Sequence, residues 1–97
     1  MAEFARVATF EADDASIDAL VSRIESEGGA PSGVPATRSI VLADRSAGKV
    51  LVVLRFASED DLKNGSEVLE GMSPSESDNI RRVSVDVYEV ELERALA

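Results

Sequence analysis

Five polar side chains interrupt stretches that otherwise read as apolar strands. They are Arg6 in FARVATFEA, Arg38 in TRSIVLAD, Arg55 in VLVVLRFAS, and Asp86 and Tyr88 in NIRRVSVDVYEVEL. A guanidinium stays charged and offers a planar fork of donors suited to a carboxylate, a phosphate or a developing enolate. A tyrosine hydroxyl can orient a substrate or act as a weak acid. Asp86 could serve as a general base if desolvation raised its pKa, whereas a salt bridge to an arginine would lower it. Arg55, Arg38, Arg6 and Tyr88 are therefore candidate ligand-binding residues, and Asp86 and Tyr88 are candidate proton acceptors. A plainer reading stands beside these. Such arginines bridge to acids at an interface or reach its wet rim, and a half-buried tyrosine finds a hydrogen-bond partner.

The composition narrows the chemistry. The 97 residues include no histidine, cysteine or tryptophan. Disulfides, thiolate metal sites and the commonest general base are excluded, and neither a metal nor a cofactor is expected. Asp13-Asp14 and Glu59-Asp60-Asp61 read as helix-start acids, not a cation site. The net charge of −9 opposes nucleic-acid phosphates and anionic membranes. No apolar run approaches the roughly 20 residues that cross a bilayer. The start, MAEFARVATF, lacks the basic and apolar regions of a signal peptide. A cytoplasmic protein is expected, with no nucleic acid and no membrane as partner.

The length suits one small domain, residues 1–97. Strand one spans 4–12. Asp13 and Asp14 open a helix carrying Ile17, Leu20, Val21 and Ile24 at helical spacing, and Gly28-Gly29 ends it. The loop 28–36 holds three glycines and two prolines. Strands two (37–44) and three (49–57) form a hairpin through the polar turn DRSAGK. Ser58 caps a second helix whose buried stripe is Leu62, Leu69 and Met72, weakened at Asn64-Gly65 and stopped by Pro74. Strand four spans 79–92. The order βαββαβ predicts a ferredoxin-like α+β fold, a four-stranded antiparallel sheet with both helices on one face.

Alternation along each strand sorts the side chains into two sets. Ala5, Val7 and Thr9 group with Val50, Val52, Leu54 and Phe56, an almost wholly apolar set expected under the helices. Phe4, Arg6 and Phe10 group with Arg38, Arg55, Arg82, Asp86 and Tyr88. That second face also carries Ile40, Leu42, Leu51 and Val53, more apolar surface than a monomer usually exposes. A second copy of the chain is expected to cover it, making a homodimer with Arg55 between the sheets. A βαββαβ sheet that binds RNA needs stacking aromatics on its central strands, and strand three offers Leu51, Val53 and Arg55 instead.

These segments resemble the dimeric α+β barrel superfamily, in particular its small antibiotic-biosynthesis-monooxygenase-like bacterial proteins. ARVATFEA at 5–12, DRSAGK at 44–49, the apolar strand ending in Phe56, SEDDL at 58–62 and VDVYEVEL at 85–92 carry the likeness. The resemblance implies a dimeric α/β barrel. It also implies a range of functions: cofactor-independent quinone-forming oxygenases, haem-degrading enzymes, isomerases, and ligand-sensing or structural domains. The haem-degrading members use histidine and tryptophan, which are absent here. Oxygenase members place tryptophan, asparagine and arginine around an aromatic substrate. Phe56 holds the aromatic position and Asn64 lies on the second helix, but no catalytic residue carries over.

Three functions follow as expectations. The first is a homodimer that binds a small aromatic or anionic molecule in a cleft beside the sheet. The second is a cofactor-free oxygenase or isomerase, with Asp86 or Tyr88 accepting a proton and Arg55 stabilising an enolate. The alternative to both is a non-catalytic structural or ligand-sensing dimer.

Overall fold

The computed structural model describes residues 2–71 and 80–96. The elements are β1 (Glu3–Ala12), α1 (Asp14–Ser26), β2 (Arg38–Asp44), β3 (Lys49–Phe56), α2 (Glu59–Glu70) and β4 (Ile80–Val90). The strands form one antiparallel sheet in the order β2-β3-β1-β4. This is the ferredoxin-like arrangement expected from the βαββαβ pattern. Met72, Pro74 and Asn79, expected to close α2 and open β4, lie outside the described residues.

Local chemistry sets the helix ends. The Asp13 carboxylate accepts a hydrogen bond from the Ser16 amide at 2.8 Å and caps α1. At the other end the Gly28 amide bonds the Glu25 carbonyl and the Gly29 amide bonds the Ile24 carbonyl. Those two bonds make a Schellman motif, which needs the left-handed backbone that Gly28 adopts at φ 79°. Ser58 caps α2 by accepting from the Asp61 amide at 3.1 Å. In the β2–β3 turn, Asp44 accepts from the Ala47 amide and the Ser46 hydroxyl.

Both helices lie on one face, but the core beneath them is in two pieces. One cluster joins Ile17 of α1 to Ala12 and Val50, with Phe10 and Leu20 packed against it. The other joins Leu62 of α2 to Leu54 and Phe56, with Phe4, Val52 and Leu69. Phe56 and Val50 are fully buried.

The register corrects one expectation from alternation. Phe4, Arg6, Ala8 and Phe10 stand opposite Phe56, Leu54, Val52 and Val50, and so share the helix-covered face. Ala5, Val7 and Thr9 stand opposite Arg55, Val53 and Leu51, on the open face. Strand one is apolar at both parities, so alternation alone does not choose between them. Burial does, because two phenylalanines remove more apolar area from water than an alanine, a valine and a threonine. Arg6 is carried inward with them.

Gly65, the weak point of α2 by propensity, has a packing reason. A Cβ there would lie 2.6 Å from Cε1 of Phe56 and 3.3 Å from Val34. The helix gives up roughly 1 kcal/mol of propensity so that Phe56 can seat against its backbone. Gly65→Ala should therefore destabilise the chain by about 1–2 kcal/mol in urea, overpacking outweighing propensity. A stabilised variant would show that the Phe56 ring yields freely.

Candidate functional site

The two faces of the sheet carry two different polar groupings. On the open face one cross-strand row runs Arg38, Arg55, Ala5, Tyr88, and the next runs Ile40, Val53, Val7, Asp86. The candidates Arg38, Arg55, Tyr88 and Asp86 are thus brought together. Arg6 is not among them, because it lies on the other side of the sheet.

Arg55 is 7% exposed within the single chain. Its Nη2 donates to Glu3 at 2.8 Å and its Nη1 donates to Glu93. The residue that interrupts the apolar run is therefore answered by two carboxylates, one from each end of the chain. Its Nε is buried without a hydrogen-bond partner among the described residues. Arg38, Asp86 and Tyr88 remain exposed, Tyr88 at 57%.

On the helix-covered face a cavity of about 800 Å³ separates α1 and the end of α2 from the sheet. It lies between the two core clusters, and Phe10, Leu20 and Ile80 of one and Val52, Leu54 and Leu69 of the other form its walls. Its existence follows from small side chains where a helix–sheet layer usually takes large ones. Ala8 sits at the middle of β1, and Ser16 and Ala19 face it from α1. Interiors pack closely only when volumes match. Here the floor and the roof both fall short.

The polar end of the cavity is a charged cluster. Arg6, its side chain only 6% exposed, donates from Nη2 to Glu70 Oε1 at 3.0 Å. Arg82 donates to both oxygens of the same carboxylate, at 3.1 and 3.2 Å. A β-bulge delivers Arg82 there. The β1–β4 register slips between Thr9 and Phe10, so Thr9 faces Ser84 while Phe10 faces Arg82. Strict alternation puts Arg82 on the open face beside Ser84, as expected from the sequence. The extra residue, Val83, turns Arg82 inward and leaves itself 52% exposed. Arg81, turned the other way, pairs with Glu11 at 2.7 Å.

The electrostatics match the geometry. Hydrogen bonds from Arg82 first, then its charge and the donation from Arg6, hold the Glu70 carboxyl below the usual glutamate range against partial desolvation. Burial lowers the pKa of the Arg6 guanidinium, and Glu70 pushes it back up. Arginine stays protonated throughout. Arg23 of α1 and Glu27, just past its end, add one charge of each sign to the lining. Among the described residues, no group of three or more aspartates, glutamates, histidines or cysteines is placed to hold a metal ion. None of the described helices is long and apolar enough to cross a membrane.

Of the candidate site residues Arg6, Arg38, Arg55, Asp86 and Tyr88, only Arg6 lines this cavity. Glu70 and Arg82 were missed as site residues. Glu70 reads as one of many acids on a helix surface, and Arg82 needs a bulge that alternation cannot show. The one available signal was the doublet Arg81-Arg82, which no regular strand can point entirely to one side.

No protein-family model matches the chain, and no curated protein matches it in sequence. A solved structure does match in shape. It is a Deinococcus radiodurans protein provisionally assigned as an antibiotic biosynthesis monooxygenase, superposed with a TM-score of 0.50 at 11% identity over 97% of this chain and 96% of that one. The chain thus shares the ferredoxin-like α+β fold of that structure, the fold that the βαββαβ order and the sequence resemblance led us to expect.

The Glu70 cluster makes a testable contribution to stability. A carboxyl whose pKa is lowered by folding stabilises the fold above its unfolded value, about 4.3, and loses that contribution as pH falls through the lowered value. Glu70→Gln should lower the melting temperature at pH about 7, and the gap to the unaltered chain should close on acidification towards pH about 3. Two melting curves that stay equally spaced across that range would show that the pairing adds nothing.

Proposed function

We propose that this chain acts as a homodimer and binds a small, largely apolar molecule with an anionic group in the cavity between its helices and its sheet. The observation that carries the reading is a space of about 800 Å³ with mostly apolar walls and a buried arginine at one end. Small-molecule sites have this size and this economy of polar groups. An aromatic body would lie against Phe10, Leu20, Val52 and Leu69, and its anionic group would meet the remaining donors of Arg6.

The open face supports the dimer. Ile40 and Leu42, 37% and 52% exposed, stand opposite Val53 and Leu51, and Tyr88 on β4 is 57% exposed on the same face. A second sheet would take this surface out of water. Arg38, Arg55, Tyr88 and Asp86 then belong to the space between two sheets. Arg55 would enter that space already paired within its own chain, to Glu3 and Glu93.

A second reading is cofactor-free oxygenation, favoured by the likeness in fold to a protein provisionally assigned as a monooxygenase. Arg6 would then hold the enolate of a substrate that ionises easily. Asp86 and Tyr88, the proton acceptors expected from the sequence, stand across the sheet from this cavity. Turnover of a hydroquinone under oxygen that Arg6→Gln abolishes would establish this reading. Binding without turnover would leave the first.

Two experiments test the proposal. Sedimentation at micromolar concentration should give twice the 10.3 kDa chain mass, falling to one chain in Leu42→Glu. A lone chain in the unaltered protein would end the dimer reading. Calorimetry with naphthoate should show binding that Ala8→Leu, which fills the cavity, weakens at least roughly tenfold, a loss of about 1.4 kcal/mol. Binding untouched by Ala8→Leu would place the ligand elsewhere.

A further inference from the structure

We propose that Glu70 is the residue that sets the charge of the ligand, tuning the cavity to a single negative charge over none or two. The inference rests on the cavity being a binding site, and it concerns what that site selects.

Among the described residues five ionised groups line the cavity, the guanidinium groups of Arg6, Arg23 and Arg82 and the carboxylates of Glu27 and Glu70. These leave one positive charge over. Arg23 and Glu27 are exposed and lie on the α1 rim, where water screens them. The surplus that matters belongs to the inner cluster, where two guanidinium groups share one carboxylate.

The sharing is unequal. Arg82 occupies both oxygens of Glu70 in a two-pronged pair, whereas Arg6 donates once, to the oxygen that Arg82 also uses. Arg6 is also the more buried, with 6% of its side chain exposed against 41% for Arg82. A buried guanidinium that holds half a partner is where a new anion gains most. A monoanion seated on the free donors of Arg6 brings the cluster to two charges of each sign. A dianion would overshoot and meet the Glu70 carboxylate at close range. A neutral ligand would leave the Arg6 donors unmatched and gain nothing from the charge.

Removing the charge of Glu70 should therefore shift the preferred ligand charge by one unit, and removing a guanidinium should shift it the other way. The test compares naphthoate, naphthamide and naphthalene dicarboxylate by calorimetry at pH about 7 against three proteins. The unaltered chain should prefer naphthoate. Glu70→Gln should tighten both carboxylates by roughly threefold to tenfold and favour the dicarboxylate. Arg82→Gln, at an exposed position that leaves Arg6 with Glu70, should erase the preference of naphthoate over naphthamide. Circular dichroism confirms that each variant is folded, and Arg82→Gln decides the matter alone if Glu70→Gln does not fold. An unchanged order of the three ligands in the folded variants overturns the inference while leaving the cavity as a binding site. No heat from any ligand with any protein overturns the binding reading, and this inference with it.

Discussion

A charged guanidinium lies in the layer where a helix-covered sheet keeps its core. Arg6 stands on a central strand, opposite Leu54 and between Phe4 and Ala8 on the same face. A buried charge without a partner is not tolerated, so something must reach it from outside the strand. Glu70 does, from the last turn of α2, and Arg82 fixes Glu70 in turn from β4. Three elements distant in the chain are tied together at this point. The end of α2 and the bulged part of β4 meet at that one side chain, beside the cavity.

The same sheet solves a similar problem differently on its other side. Arg55 is nearly as buried as Arg6, but its two carboxylates come from Glu3 and Glu93, near the ends of the chain. Its guanidinium is held by the chain's own acids. Arg6 lines the cavity and, among the described residues, has one carboxylate partner, which it shares with Arg82. Two arginines of similar burial are thus of different kinds, one a structural bridge and the other poised beside open volume. Burial alone would not separate them. The count of acids around each does.

The split core gives this contrast its physical setting. Ile17 holds the first turns of α1 onto the sheet and Leu62 holds the first turn of α2, while the space between them is left short of side-chain volume by Ala8, Ser16 and Ala19. Gly65 lets Phe56 seat tightly within the second cluster, so that region is packed to the limit while the middle stays open. A solved structure with the same fold and 11% identity shows how little sequence this architecture requires. The likeness fixes the frame and not the contents of the cavity.

Much of this was legible in the residues themselves. Capping acids, the Gly28-Gly29 stop, the polar hairpin turn and the apolar run of β3 specify their elements by local chemistry, and their order specifies the fold. Ile40, Leu42, Leu51 and Val53 fall on the open face as alternation predicts, because β2 and β3 run without interruption. Strand one was undecidable, being apolar at both parities, and strand four breaks its own alternation at Val83. Those two strands carry Arg6 and Arg82. The site was therefore hidden where the sequence is ambiguous, since a one-residue slip sends every later side chain to the opposite face. By itself the sequence determined the elements, their order and an oily sheet face. Which arginine lies beside a cavity, and which acid it shares, was decided only by the pairing register, because that is set by burial summed over strands far apart in the chain.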